Sequence, residues 1–132
     1  MIKSIPIEKV LFIDIETVPQ TNVWEELSET DQKLWDKKTQ RQRSDEVSAE
    51  DFYLERAGIM AEFGKIICIS VGIADKKNQL MIRSFSGEDE VKLLQDFGEI
   101  FNRPKLQNII LCAHNGKEFD FPWIARRFLI NG

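Results

Sequence analysis

Cysteine and histidine are scarce in this chain of 132 residues, which has two Cys and one His. With no CxxC pair and a lone His114, a structural zinc site finds no ligand set. Cys68 and Cys112 each lie in an apolar, strand-like run. They read as small buried hydrophobes rather than a disulfide framework. Long hydrophobic runs are lacking too: none approaches the roughly 20 residues that cross a bilayer. Residues 1–6 hold no apolar signal segment. The expectation is a cytoplasmic protein with no membrane partner. An excess of positive charge is also absent, since 18 Lys and Arg face 22 Asp and Glu for a net charge of −4. That argues against a broad, non-specific grip on nucleic-acid phosphates. It leaves room for an enzyme that holds a strand end through metals and a few basic side chains.

What is present is an ordinary mixture of 42% hydrophobic and 30% charged residues, long enough for one domain over residues 1–132. After a lead-in over residues 1–9, the apolar run Val10-Leu11-Phe12-Ile13 continues into Asp14-Ile15-Glu16-Thr17. On a strand, period two sends Asp14 and Glu16 to one face and Ile13 and Ile15 to the other. Adjacent like charges repel and resist burial, and a divalent cation such as Mg²⁺ or Mn²⁺ would offset that repulsion with oxygen ligands. The plain alternative is a strand end whose acids face water.

Residues 20–60 change character. Charged residues interleave there with sparse apolar ones, including Trp24, Leu27, Leu34 and Trp35, and the segment reads as a helical insertion after strand one. Ser48-Ala49-Glu50-Asp51 has the pattern of a capped helix start. Residues 37–44 carry Lys37, Lys38, Arg41 and Arg43, either a solvated face or an arm that touches phosphates.

Beyond Gly64 the β-branched run 65–74 predicts a strand apolar on both faces, and 79–85 returns as its hairpin partner. Val91, Leu94, Phe97, Ile100 and Phe101 form one helical stripe, which Pro104 ends. Residues 108–113 predict a buried fourth strand, parallel to the first because a helix intervenes. His114-Asn115-Gly116 turns the chain out, and Pro122 sits in the first turn of a last helix. Ligand sites of open α/β sheets lie beyond the carboxyl ends of parallel strands. Asp120 would therefore leave strand four at the end where Asp14 and Glu16 leave strand one. By itself Asp120 also reads as a helix cap, and Asn115 as a turn residue.

Taken jointly, Asp14-x-Glu16-Thr17 and His114-Asn115-x-x-x-Phe119-Asp120 resemble the first two motifs of the DnaQ-like, DEDD-type 3′–5′ exonucleases. The wording of residues 113–124 is similar to the predicted exonucleases related to the proofreading domain of family B DNA polymerases. The resemblance implies a ribonuclease H-like fold, a central mixed β-sheet flanked by helices. It implies that Asp14, Glu16 and Asp120 are catalytic and hold two Mg²⁺ or Mn²⁺ ions. Thr17, Asn115 and Phe119 would contact the substrate, the 3′ end of single-stranded DNA, with RNA as the other possible strand. The family's third motif brings a fourth carboxylate with a Tyr or His before it, and no acid follows Asp120 here. The chain is thus expected to be cut within its domain and one ligand short. The alternative function is a non-catalytic nucleic-acid-binding or interaction module with the same fold. Aspartate-nucleophile phosphatases share an apolar strand ending in D-x-D-x-T, but Glu16 replaces their second Asp.

Overall fold

The computed structural model describes residues 4–132. The first three residues of the lead-in lie outside the described residues. The chain divides into two compact units, one made of residues up to Glu16 together with Ile66–Gly132, the other of Thr17–Lys65. The elements are β1 (Val10–Pro19), α1 (Glu29–Thr39), α2 (Ala49–Arg56), β2 (Gly64–Ala74), β3 (Leu80–Ser86), α3 (Glu90–Glu99), β4 (Ile110–Cys112) and α4 (Asp120–Asn131), joined by turns and short 3-10 segments. The strands form one mixed sheet in the order β3-β2-β1-β4. β2 and β3 pair antiparallel, from Cys68 opposite Ser86 to Ala74 opposite Leu80. β1 and β4 pair parallel, with Val10 opposite Ile110 and Phe12 opposite Cys112. Among the described residues, no helix is long and apolar enough to cross a membrane.

In the first unit the predicted alternation of β1 is plain. Leu11, Ile13 and Ile15 are buried, while Phe12, Asp14 and Glu16 are exposed. The hairpin turn is set by Asp75, whose carboxylate accepts the N–H groups of Lys77 and Gln79 at 2.7 and 2.9 Å. Asn78 there takes the left-handed conformation, at φ 59°, which Asn tolerates better than most residues. Phe85 of β3 meets Phe97 of α3 edge-on at 5.9 Å, so the apolar face of the sheet is closed by helix.

Four expectations need correction. The fourth strand is short and not buried, with Ile110 and Leu111 exposed, because it is an edge strand with a neighbour on one side alone. Its Cys112 is accordingly exposed and Cys68 only half-buried, so neither is the core thiol that its apolar surroundings predicted. β2 is not apolar-buried on both faces either. Ile67, Cys68 and Ile73 are half-buried, and on the neighbouring strands Phe12, Leu80 and Ile82 are exposed. The stripe on α3 is also rotated. Its buried positions are Glu90, Leu93, Leu94 and Phe97, followed by Ile100, whereas Val91 and Phe101 are exposed.

The buried face of α3 carries an ion pair. Arg127 of α4 donates to Glu90 through Nε at 2.9 Å and Nη2 at 2.5 Å. Asn131 adds Nδ2 at 3.0 Å and the Ile66 backbone N–H a bond of 2.7 Å. Burial works to raise the Glu90 carboxyl, but the Arg127, Ile66 and Asn131 hydrogen bonds and the Arg127 charge outweigh it and hold the group below its ordinary range. One carboxylate thus ties the start of β2 to α3 and to the second half of α4.

The second unit has its own core of Leu27, Trp35, Tyr53, Ala57 and Phe63. Trp35 is its centre. Its ring meets Tyr53 at 5.2 Å and Phe63 at 5.0 Å, both edge-on, and its indole N–H donates to the Ala49 carbonyl at 2.8 Å. Leu34, beside it in sequence, is exposed. Both helices of this unit start on a serine. Ser28 accepts the Asp31 N–H at 3.1 Å and Ser48 the Asp51 N–H at 3.0 Å. We expect Ser48→Ala to lower stability by about 1 kcal/mol, read as a shift in the urea midpoint at constant slope. Of the four cations in residues 37–44, two are engaged. Arg43 folds back on Asp36 and on the Val47 carbonyl, and Lys38 pairs with Glu62 at 3.1 Å. These two serve local structure, which leaves Lys37 and Arg41 exposed from the basic run.

Candidate metal and nucleic-acid site

The parallel β1–β4 pair sets the site. Its last paired residues are Phe12 and Cys112. Two residues further along β1 lies Asp14, and two residues past the end of β4 lies His114 in the turn, at the carboxyl ends where parallel sheets gather ligands. From there the chain winds through close turns. The Asn115 carbonyl accepts the N–H groups of Glu118 and Phe119, each at 3.0 Å, and Gly116 accepts from Phe121 at 2.9 Å. Asn115 itself is left-handed, at φ 51°. Gly116 is required by space. A Cβ there would lie 2.5 Å from Ala113 Cβ and 3.0 Å from the Phe121 ring. We expect Gly116→Ala to cost about 1–3 kcal/mol through overpacking, measured by denaturant unfolding, because the turn has no room to relax.

These turns deliver Asp120 as the first residue of α4, 4% exposed. Its carboxyl is pushed above the ordinary range, first by burial and then by the Asp14 charge, against hydrogen bonds from its own N–H and that of Ile15 and the opposing influence of His114. Asp120 therefore feels the Asp14 charge and accepts from the backbone of β1, although 105 residues separate Ile15 from Asp120 in the chain. Glu16 shares the exposed face of β1 with Asp14. Among the described residues, however, no three His, Cys, Asp or Glu side chains converge closely enough to hold a metal together. Asp120 lies within the electrostatic reach of Asp14, and Glu16 shares the exposed face of β1 with Asp14.

The three residues expected to contact substrate have separate settings. Asn115 is exposed beside the site, its backbone spent on the turn. Phe119 is half-buried and tilted against Trp123, at 5.9 Å between ring centres. Thr17 belongs to the second unit, where its hydroxyl donates to the Gly58 carbonyl at 2.5 Å. Sequence reasoning missed the supports: Gly116, and the Glu90–Arg127–Asn131 anchor of the helix that carries Asp120. The spacing of Arg127 and Asn131 at i and i+4 places both on one helix face, but the residue they hold is far away in sequence.

A comparison with protein families gives a match over residues 52–131, more than half of the chain, to the family described as RNase_H superfamily. The chain belongs to the RNase_H superfamily. Its fold is RNase H-like, an α/β arrangement of a mixed four-stranded sheet with flanking helices. Superfamily members are generally nucleases, typically use divalent metals and bind nucleic acid. The matched region contains β2 to α4, Asp120 included, and leaves β1 with Asp14 and Glu16 outside. No curated protein and no solved structure matches this superfamily member.

Proposed function

We propose that this RNase_H superfamily protein is a metal-dependent 3′–5′ exonuclease that shortens single-stranded DNA from its 3′ end, with RNA as the other strand it could accept. The observation that carries the reading is the coupling of two distant carboxylates, the buried Asp120 with its raised carboxyl and Asp14 on β1. A protein that buries an acid against a like charge loses stability unless something offsets the repulsion. The donor set is all oxygen, which fits Mg²⁺ or Mn²⁺ rather than zinc. Asp14 and Asp120 would hold the ion, with Glu16 next along the strand face. The ion supplies Lewis acidity toward a phosphate and an activated water.

The chain's own groups supply position. The Ile15 and Asp120 N–H groups keep the Asp120 carboxylate oriented before any ion arrives. Phe119, only half-buried, offers a ring on which a terminal base can stack whatever its identity. The exposed Lys117 and Arg126 flank Asp120 and suit backbone phosphates.

The test is a 5′-labelled single strand incubated with Mn²⁺ or with chelator. The expected result is a ladder shortened from the 3′ end and abolished by chelator. A strand left full length at every divalent ion tested would refute the exonuclease. A second reading, a non-catalytic nucleic-acid-binding module of the same fold, is favoured by one observation: among the described residues no three metal-ligating side chains converge. It predicts a strand retained by the protein in Mn²⁺ without shortening.

A further inference from the structure

A second cavity, of about 370 Å³, lies toward the opposite end of β1 from the acids. Leu11 lines it, three residues before Asp14 and on the other face of the strand, so roughly 10 Å of strand separates the two sites. The floor is apolar and built from the core itself: Leu11, Val71 and Ile100 are all buried. The rim is cationic, with Arg83 from β3 and Arg103 and Lys105 from the segment after α3. Among the described residues, none of these three forms an ion pair. The Arg83 guanidinium is fixed over the Phe85 ring, 4.6 Å from its centre.

Arg83 and Arg103 also line a neighbouring polar cavity of about 250 Å³ with Asp96 and Glu99. Asp96 is held by Lys92 at 2.8 Å, which leaves Glu99 as the acid beside Arg83 and Arg103. In a protein of net charge −4, this is a local reversal of sign above an apolar floor.

We propose that this cavity binds a nucleoside phosphate, its base on the apolar floor and its phosphate on the Arg83, Arg103 and Lys105 rim. Guanidinium groups match phosphate oxygens two at a time, and a lysine adds a point charge. The volume falls within the roughly 300–1,000 Å³ of small-molecule sites. A bare phosphate would use the rim and leave the floor wet, whereas a nucleoside would use the floor alone. A nucleoside phosphate satisfies both. It can arrive as a free mononucleotide or as the 5′-phosphorylated end of a strand. The site needs neither Asp14 nor a metal, so it stands apart from the exonuclease reading.

The experiment is calorimetric titration of the whole chain in EDTA with dAMP, deoxyadenosine, inorganic phosphate and a 5′-phosphorylated tetranucleotide. We expect dAMP to bind at least about tenfold tighter than deoxyadenosine or phosphate, since the rim's charged hydrogen bonds and the floor each contribute. An Arg83→Ala, Arg103→Ala double variant changes only exposed side chains and should weaken dAMP at least about tenfold, with the melting temperature kept. Asp14→Asn should bind dAMP as the parent does. Competition by the tetranucleotide at comparable affinity assigns the site to strand ends, and its absence assigns it to free nucleotides. The proposal is overturned if dAMP binds no tighter than phosphate. It is equally overturned if Asp14→Asn abolishes binding while the double arginine variant retains it.

Discussion

Glu90→Ala should destabilise the first unit by about 3–5 kcal/mol, the usual cost of removing one partner from a buried ion pair. The Arg127 guanidinium, on a side chain only 7% exposed, would lose this carboxylate, while the Ile66 N–H and the Asn131 amide would lose their acceptor. Equilibrium unfolding in urea measures this directly. The same site sets a pH dependence. The Glu90 carboxyl is held below its unfolded value, so the folded state binds its proton less tightly than the unfolded chain does. Its contribution is therefore present above the unfolded pKa of an ordinary glutamate and is lost as pH falls through the lowered folded value. Glu90→Gln should lower stability at neutral pH and flatten the acid limb of the stability curve. An unchanged acid limb in Glu90→Gln would place the acid sensitivity elsewhere. Replacing Glu90 and Arg127 together with apolar residues of similar volume should recover much of the loss, because no charge is then stranded.

Asp120→Asn should abolish strand shortening, by on the order of 10³-fold or more, since a lost metal ligand removes several kcal/mol of charge stabilisation. Its effect on folding should run the other way. Burial and the Asp14 charge raise the Asp120 carboxyl, so the ionised group opposes folding at neutral pH, and a neutral amide relieves both causes while still accepting the Ile15 N–H. The melting temperature should stay level or rise as activity disappears, a trade expected where an acid is kept for function. Asp14→Ala should lose activity to the same degree. Thermal melting and the 5′-labelled assay on the same preparations separate this from a folding defect. An Asp120→Asn protein that melts much lower than the parent would mark Asp120 as a helix-start residue and not a functional acid.

The coarse plan of the unit that carries the acids was legible in local patterns. The period-two alternation of Leu11 to Glu16, the turn residues around Asn78, and the helix between β3 and β4 all act over a few residues. They led to β1, the hairpin and a parallel β1–β4 pair. Ser48 announced the start of α2 in the same way, and Ser28 carried an identical signal that went unused. The errors came where burial depended on neighbours. The residues of β4 look like a core strand, yet an edge position leaves Ile110, Leu111 and Cys112 exposed. On α3 the apolar residues suggest one stripe, whereas the buried face includes Glu90 and leaves Val91 and Phe101 exposed.

By itself, then, the sequence determined which stretches extend or coil and which face of β1 bears the acids, because strand and helix periods are properties of contiguous residues. The tertiary structure alone decided that Asp120 comes within reach of the Asp14 charge and that Arg127 of α4 meets Glu90 of α3. It also decided that Glu90 is worth burying. Each of these depends on a partner many positions away, and the energy of a buried charge is set by what faces it, a quantity no local pattern contains.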